Sequence, residues 1–356
     1  MSGAAPGPWL FSRRTDLLAF GAPALVSSLL VAFGLLTGWA TGDTPPGLWL
    51  LAVVGVDVAH VWSTAYRVYA DPAEVRRRPL LYLGTPVLAW LAGAWLHWQS
   101  PLLFWRVLAY LAVFHFVRQQ YGWVMLYRRR ARETDRVGRF VDAAAVYAAT
   151  LYPLLYWHAA PPRRFHWFVA GDFMRGLPAG VVRAAFVGYV VVMMAYVWRA
   201  INGARRGMVP WGKHLVVAST AVCWWVGIVA FDSDYVFTVT NVLIHGVPYF
   251  VLVHRYGARR FDGERGVTAA VFRAGVPVFY GILVMAAFLE EGLWDAFVWH
   301  DHPRFFGAWG FAPGPLALSL LVPLLALPQA VHYALDAFVW KVGPKNPGLA
   351  GHLSIG

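Results

Sequence analysis

Charge is scarce in this chain. Asp, Glu, Lys and Arg make up 13% of its 356 residues, against about 25% in soluble domains. Cysteine is scarcer still: Cys223 stands alone, which excludes a disulfide framework and any Cys-based zinc or iron–sulfur site. No Gly-rich flavin or nicotinamide fingerprint occurs. No Ser/His/Asp arrangement stands out, and Cys223, beside Trp224 and Trp225, has no activating partner. Low-complexity segments and long repeats are missing as well. What is there instead is apolar: 59% of the residues are hydrophobic and 19 are Trp, with a mean hydropathy of +0.52. These proportions exclude a disordered chain and a soluble globular enzyme. In a soluble protein the formal charge of +12 would point to nucleic acid. Here Lys and Arg collect in loops between apolar runs, so the expected partners are membrane lipids and not nucleic acid.

A spanning helix needs about 20 mostly apolar residues. Stretches of that kind lie near 17–40, 47–66, 79–98, 102–126, 139–158, 179–198, 214–231, 235–254, 268–290 and 315–340. They predict an all-α, polytopic integral membrane bundle of about ten helices, forming one membrane domain over residues 1–356. The first run follows Arg13 and Arg14 and lacks a small-residue cleavage signature, so it reads as a retained helix. Basic residues gather at 13–14, 76–78, 128–132, 199–213, 255–265 and 341–345, whereas 41–47, 99–101, 232–234 and 290–301 are acidic or neutral. Arg163 and Arg164 are the exception. This alternation puts both termini and the basic loops in the cytoplasm, as in a bacterial-type inner membrane. Two outer loops, 159–178 and 291–314, are rich in aromatics and read either as an interfacial belt or as a re-entrant lid.

Ionisable side chains inside apolar spans are costly and mark functional sites. Four stretches carry nearly all of them. Asp57, His60 and Thr64 fall at i, i+3, i+7; His115 and Gln119 at i, i+4; Asn241, His245 and Tyr249 at i, i+4, i+8; and Gln329, His332 and Asp336 at i, i+3, i+7. Each set lines one face of a 3.6-residue helix. Counting back from the basic residues that end each span places the four histidines roughly 10 to 20 Å from the cytoplasmic boundary. They therefore share a slab in the inner half of the bilayer, and form one site if their helices are neighbours.

Neutral imidazoles with carboxylates suit iron, zinc or copper. On this reading His60, His115, His245 and His332 are metal ligands. Asp57 and Asp336 are further ligands, or they accept the second ring N–H of a ligand histidine. Tyr249, Gln119 and Arg118 are the candidate catalytic or substrate-contacting groups, with Arg118 readable also as a snorkelling residue. Pro248, and Pro323 or Pro328, should kink their helices and free carbonyls for polar neighbours.

This layout resembles that of membrane-integral non-haem iron enzymes, which collect histidines from several helices near one face of the bilayer. It departs from the desaturases and alkane hydroxylases in having no adjacent histidine pair, and no family is assigned from it. The expected activity is oxidation of a hydrophobic molecule at non-haem iron, with electrons drawn from a separate donor. A b-type haem held by paired histidines, a metal-free transporter or proton relay and a metal-free lipid-transforming enzyme are the alternatives.

Overall fold

The computed structural model describes residues 7–159, 163–207 and 209–355, and among these the regular elements are all helical. The long helices are α1 (Arg13–Thr37), α2 (Pro46–Arg67), α3 (Pro79–Gln99), α4 (Pro101–Arg130), α5 (Arg136–Ala159), α6 (Ala179–Arg205), α7 (Trp211–Ala230) and α8 (Asp234–Arg260). The short α9 (Val267–Ala274) precedes α10 (Val276–Trp299), and α11 (Pro315–Leu325) runs into α12 (Leu327–Val339). Proline opens α2, α3, α4 and α11, where its missing N–H costs nothing. Ser12 and Ser100 cap α1 and α4 through their hydroxyls.

Eight of these helices are long and apolar enough to cross a membrane, and the pair α11–α12, bent by 41°, makes a ninth candidate. Helix α5 has the length, at 24 residues, but Asp142, Tyr147, Tyr152, Tyr156, Trp157 and His158 dilute its apolar run. The chain is therefore of the multi-pass membrane type. Helix α8 is central, with 83% of its apolar window buried, whereas α3 and α6 have 11% and 6% and lie outermost. Their outward faces carry Leu80, Leu83 and Leu88 on α3 and Val187, Val191 and Met194 on α6, as lipid contact requires.

Two expected boundaries move. The stretch 268–290 is not one helix. Gly275, at φ 87°, ends α9 and starts α10 in a conformation that L side chains rarely adopt. Helix α10 then continues to Trp299, so Glu290 and Glu291 are helical and the loop at 291–314 begins only at His300. The carboxylates looked like the end of a span, but Glu290 is buried and held there by neutral donors.

Ionic clips tie the helix ends at the basic face. Arg128 Nη1 reaches Asp142 Oδ2 at 2.5 Å, and Lys213 Nζ reaches the same oxygen at 2.9 Å, joining α4, α5 and α7. Arg260 pairs with Asp71 at 2.8 Å, and Arg67 Nη1 lies 3.3 Å from Glu74 Oε2. Burial alone would raise the Glu74 carboxyl. The Arg67 guanidinium, with hydrogen bonds from Tyr82 and Arg77, holds it below its ordinary value instead. The opposite face is closed by neutral and acidic loops, with Thr44 Oγ1 donating to Asp234 Oδ2 at 2.6 Å and the Arg164 amide to Asp232.

Removing Asp142 leaves Arg128 and Lys213 buried without that shared partner. We expect Asp142→Ala to cost about 3–5 kcal/mol, read as a lowered unfolding temperature of the detergent-solubilised protein. A depressed carboxyl stabilises the fold above its ordinary titration range and loses that contribution as pH falls through the lowered value. Glu74→Gln should therefore lose stability at neutral pH and show a flatter acid limb than the wild type in the same assay.

Candidate metal centre

His60 on α2, His115 on α4, His245 on α8 and His332 on α12 each offer one ring nitrogen, and these four atoms all lie within 4.8 Å of one another. The four side chains are at most 3% exposed. Ring centroids stand 4.4 Å apart for His115 and His332, 4.6 Å for His60 and His245, 4.9 Å for His60 and His332, and 5.1 Å for His115 and His245. The depth estimate from sequence thus describes neighbours.

Local backbone features bring the helices this close. Wide π-turns at Leu50–Val58 in α2 and Thr238–Val242 in α8 directly precede His60 and His245, a placement that recurs at functional sites. The second of these turns Asn241 toward α7, where its amide meets the Cys223 carbonyl, and so away from the face of His245. Gly246 lets α2 pass against α8: a Cβ there would sit 2.7 Å from Val56 Cγ1 and 3.1 Å from the Val56 carbonyl oxygen. Pro248 cannot donate to the Ile244 carbonyl one turn earlier, and Gln120 Nε2 of α4 takes that carbonyl at 3.5 Å. Gln119 Nε2 takes the His245 carbonyl at 2.8 Å. Phe116 stacks on His245 with centroids 3.6 Å apart and planes at 10°. Helix α4 therefore grips α8 on both sides of the histidine. In the last helix the break falls at Ala326, with Pro328 in the first turn of α12, while Pro248 lies inside an unbroken α8.

A hydrogen-bond chain orients His332. Trp340 Nε1 donates to the Tyr249 hydroxyl at 3.1 Å, and that hydroxyl donates its one proton to Asp336 Oδ1 at 2.6 Å. Tyr249 can then only accept from Thr64 Oγ1 at 3.1 Å. Thr64 Oγ1 in turn meets His332 Nδ1 at 2.7 Å. His332 Nε2 lies 3.0 Å from His115 Nε2. The carboxylates flank the cluster at longer range. Asp336 lies 3.9 Å from His115 Nε2 and 3.8 Å from His332 Nδ1, and Asp57 lies 3.7 Å from His60 Nδ1.

Among the described residues, both ring nitrogens of His60 and both of His245 are buried without a hydrogen-bond partner within 3.5 Å. Each such orphan costs about 1–3 kcal/mol, and four in one cluster call for an explanation. A metal ion is the group that buried, neutral, convergent imidazoles fit. Nitrogens about 2.1 Å from a tetrahedral ion stand about 3.4 Å apart, so the rings would have to draw inward to close around one ion.

The other candidates lie as follows. Tyr249 is 1% exposed and its hydroxyl has three protein partners. Gln119 spends its amide N–H on the α8 backbone and lies beside the His115 ring. Arg118 is exposed on the outer side of α4, where it donates to the Tyr147 hydroxyl at 2.5 Å and lies over the Tyr121 ring; it does not join the histidines. Three residues near the site escaped the sequence reading. Glu290 accepts from Trp62, Gln329 and Trp294 at 2.6, 2.7 and 3.4 Å, with no cation among its partners. Trp340 supplies the donor to Tyr249, and Arg67 packs over the Trp340 and Tyr256 rings. Trp340 and Arg67 lie at span ends where basic and aromatic residues are routine, and Glu290 was assigned to a loop, so none carried a distinguishing signal.

Comparison with known proteins returns no matching family model, no matching curated protein and no matching solved structure. Fold and site by themselves define the class: a multi-pass helical membrane protein with a buried four-histidine cluster that could hold a metal ion. Nothing beyond that class is borrowed from a relative, so function rests on the site.

Tyr249→Phe keeps the ring but removes the hydroxyl that serves Trp340, Asp336 and Thr64. We expect a loss of about 1–3 kcal/mol, measured as a drop in unfolding temperature. Arg118→Gln, at an exposed position, should leave that temperature within about 0.5 kcal/mol equivalent of the wild type.

Proposed function

We propose that this protein binds a transition-metal ion, most simply non-haem iron, through His60, His115, His245 and His332, and oxidises a lipophilic molecule beside it. The observation that carries the reading is the set of unpartnered ring nitrogens on His60 and His245, buried against two further imidazoles. When bound, the ion supplies the one-electron and oxygen chemistry that this cysteine-poor chain lacks.

The chain's own residues have separable roles. The His332 ring is held in place by Thr64, which Tyr249 and Asp336 anchor in turn. Phe116 and the Gln119 contact fix the His245 ring and its backbone. Asp57 and Asp336 offset the charge of the ion or complete its ligand set. Asp57 is one-third exposed, at 33%, although it lies mid-span beside a buried histidine, which favours substrate access along α2 from within the bilayer. The proposed topology is ten spans in one domain, counting α5 and the bent α11–α12 pair, with both termini and the basic loops in the cytoplasm. Electrons come from a separate donor protein.

Two alternatives fit less well. A haem plane must pass between its axial rings, and here the other two histidines fill the space around the His115–His332 pair. A transport pathway should continue across the bundle, whereas these four imidazoles meet in one compact group.

The test is elemental analysis of the purified full-length protein with its visible absorption spectrum. We expect one iron per chain and no Soret band. His60→Ala, His115→Ala, His245→Ala and His332→Ala should each lose the metal while remaining inserted. Replacing His300 and His302 should leave the content unchanged. Chelation should lower the unfolding temperature and iron should restore it, since a ligand at 100 times its Kd adds about 2.7 kcal/mol. A wild-type protein that takes up neither iron, zinc nor copper defeats the reading, and a Soret band replaces it with electron transfer.

A further inference from the structure

A second feature lies at the basic face, away from the histidines. A cleft of about 480 Å³ opens between the start of α3 and the segment that follows α12, lined by Arg77, Arg78 and Lys345 together with Leu81, Phe338 and two prolines. Asn346, 3% exposed, pins this segment by donating to the Phe338 and Lys341 carbonyls at 2.7 and 2.8 Å.

The charges in the cleft are unbalanced. Arg77 has Glu74 as an ionic partner, but Glu74 is shared with Arg67. Among the described residues neither Arg78 nor Lys345 has a carboxylate within salt-bridge distance. Arg77 and Arg78 both donate to the same two neutral acceptors, the Lys345 carbonyl and Asn346 Oδ1. Two guanidiniums are thereby drawn together, with an ammonium on the same short loop, and the carboxylate paired with them among the described residues is Glu74, which Arg67 shares. The remaining lining is apolar: Phe338 is 48% exposed, and Leu80 beside Leu81 is 90% exposed on the lipid-facing side of α3.

A cationic rim next to exposed apolar side chains at a helix end matches an amphiphile with an anionic head. Guanidiniums pair with phosphate oxygens in a fork geometry, and basic pockets between membrane helices take acidic head groups. We propose that this cleft is a binding site for an anionic phospholipid, with its phosphate held by Arg78, Lys345 and Arg77 and an acyl chain running along Leu81 and Phe338. The site is distinct from the four-histidine cluster and does not depend on the metal reading.

The test uses full-length protein delipidated in neutral detergent and mixed with dioleoyl-phosphatidylglycerol or dioleoyl-phosphatidylcholine, with retained lipid read by native mass spectrometry. Phosphatidylglycerol should be retained and phosphatidylcholine should not. Lys345→Ala and Arg78→Gln should each weaken retention about fivefold, and together about thirtyfold, with metal content and unfolding temperature unchanged. Lys345 is exposed, so its variant reports on binding even if loss of Arg78 disturbs the loop. Equal retention of the two lipids, or wild-type retention by the double variant, overturns the proposal. Displacement of the lipid by equimolar inorganic phosphate also overturns it and marks a free-anion site.

Discussion

A ring nitrogen buried inside a membrane bundle has no water to turn to, so it must find a partner in the protein or in something the protein holds. In this chain four imidazoles are brought to one point, and among the described residues two of them have no hydrogen-bond partner within 3.5 Å. Much of the surrounding architecture serves that convergence. Four helices supply one histidine each, and the gaps between them are set by Gly246, by the wide turns before His60 and His245, and by the Gln119 and Gln120 amides that answer the α8 backbone around Pro248.

The orientation of the site follows from one hydrogen-bonded chain that links Asp336, Tyr249, Thr64 and His332 Nδ1. The same chain ties three helices, α2, α8 and α12, through buried and half-buried side chains. Its far end meets Trp340, and the ring of Trp340 packs under Arg67. The ionic clips at the basic face and the interior polar network are therefore continuous through Arg67 and Glu74.

Electrostatics agrees with this division. At the basic face every buried cation has a carboxylate beside it, as Arg128 and Lys213 have Asp142 and Arg67 has Glu74. Around the histidines the balance is reversed: among the described residues Asp57, Asp336 and Glu290 have no Arg or Lys partner within 4 Å. A divalent ion among four neutral imidazoles would supply the positive charge that this half of the interior lacks.

Periodicity in the sequence was enough to identify most of the long helices, their membrane character and the four histidines that meet. Apolar length and a 3.6-residue period are local properties, written into each segment separately. The boundary at Gly275 and the burial of Glu290 were hidden, because a carboxylate at the end of an apolar run reads the same whether it meets water or the indoles of Trp62 and Trp294. The roles of Tyr249, Gln119 and Arg118 were hidden too, since spacing places a side chain on a face without naming what it meets there. That the four stripes point at one another was decided by helix packing alone. Matched depth in the bilayer is set by residue count along each chain segment, but proximity across the bundle depends on which faces interlock, and that is a property of the whole set of contacts.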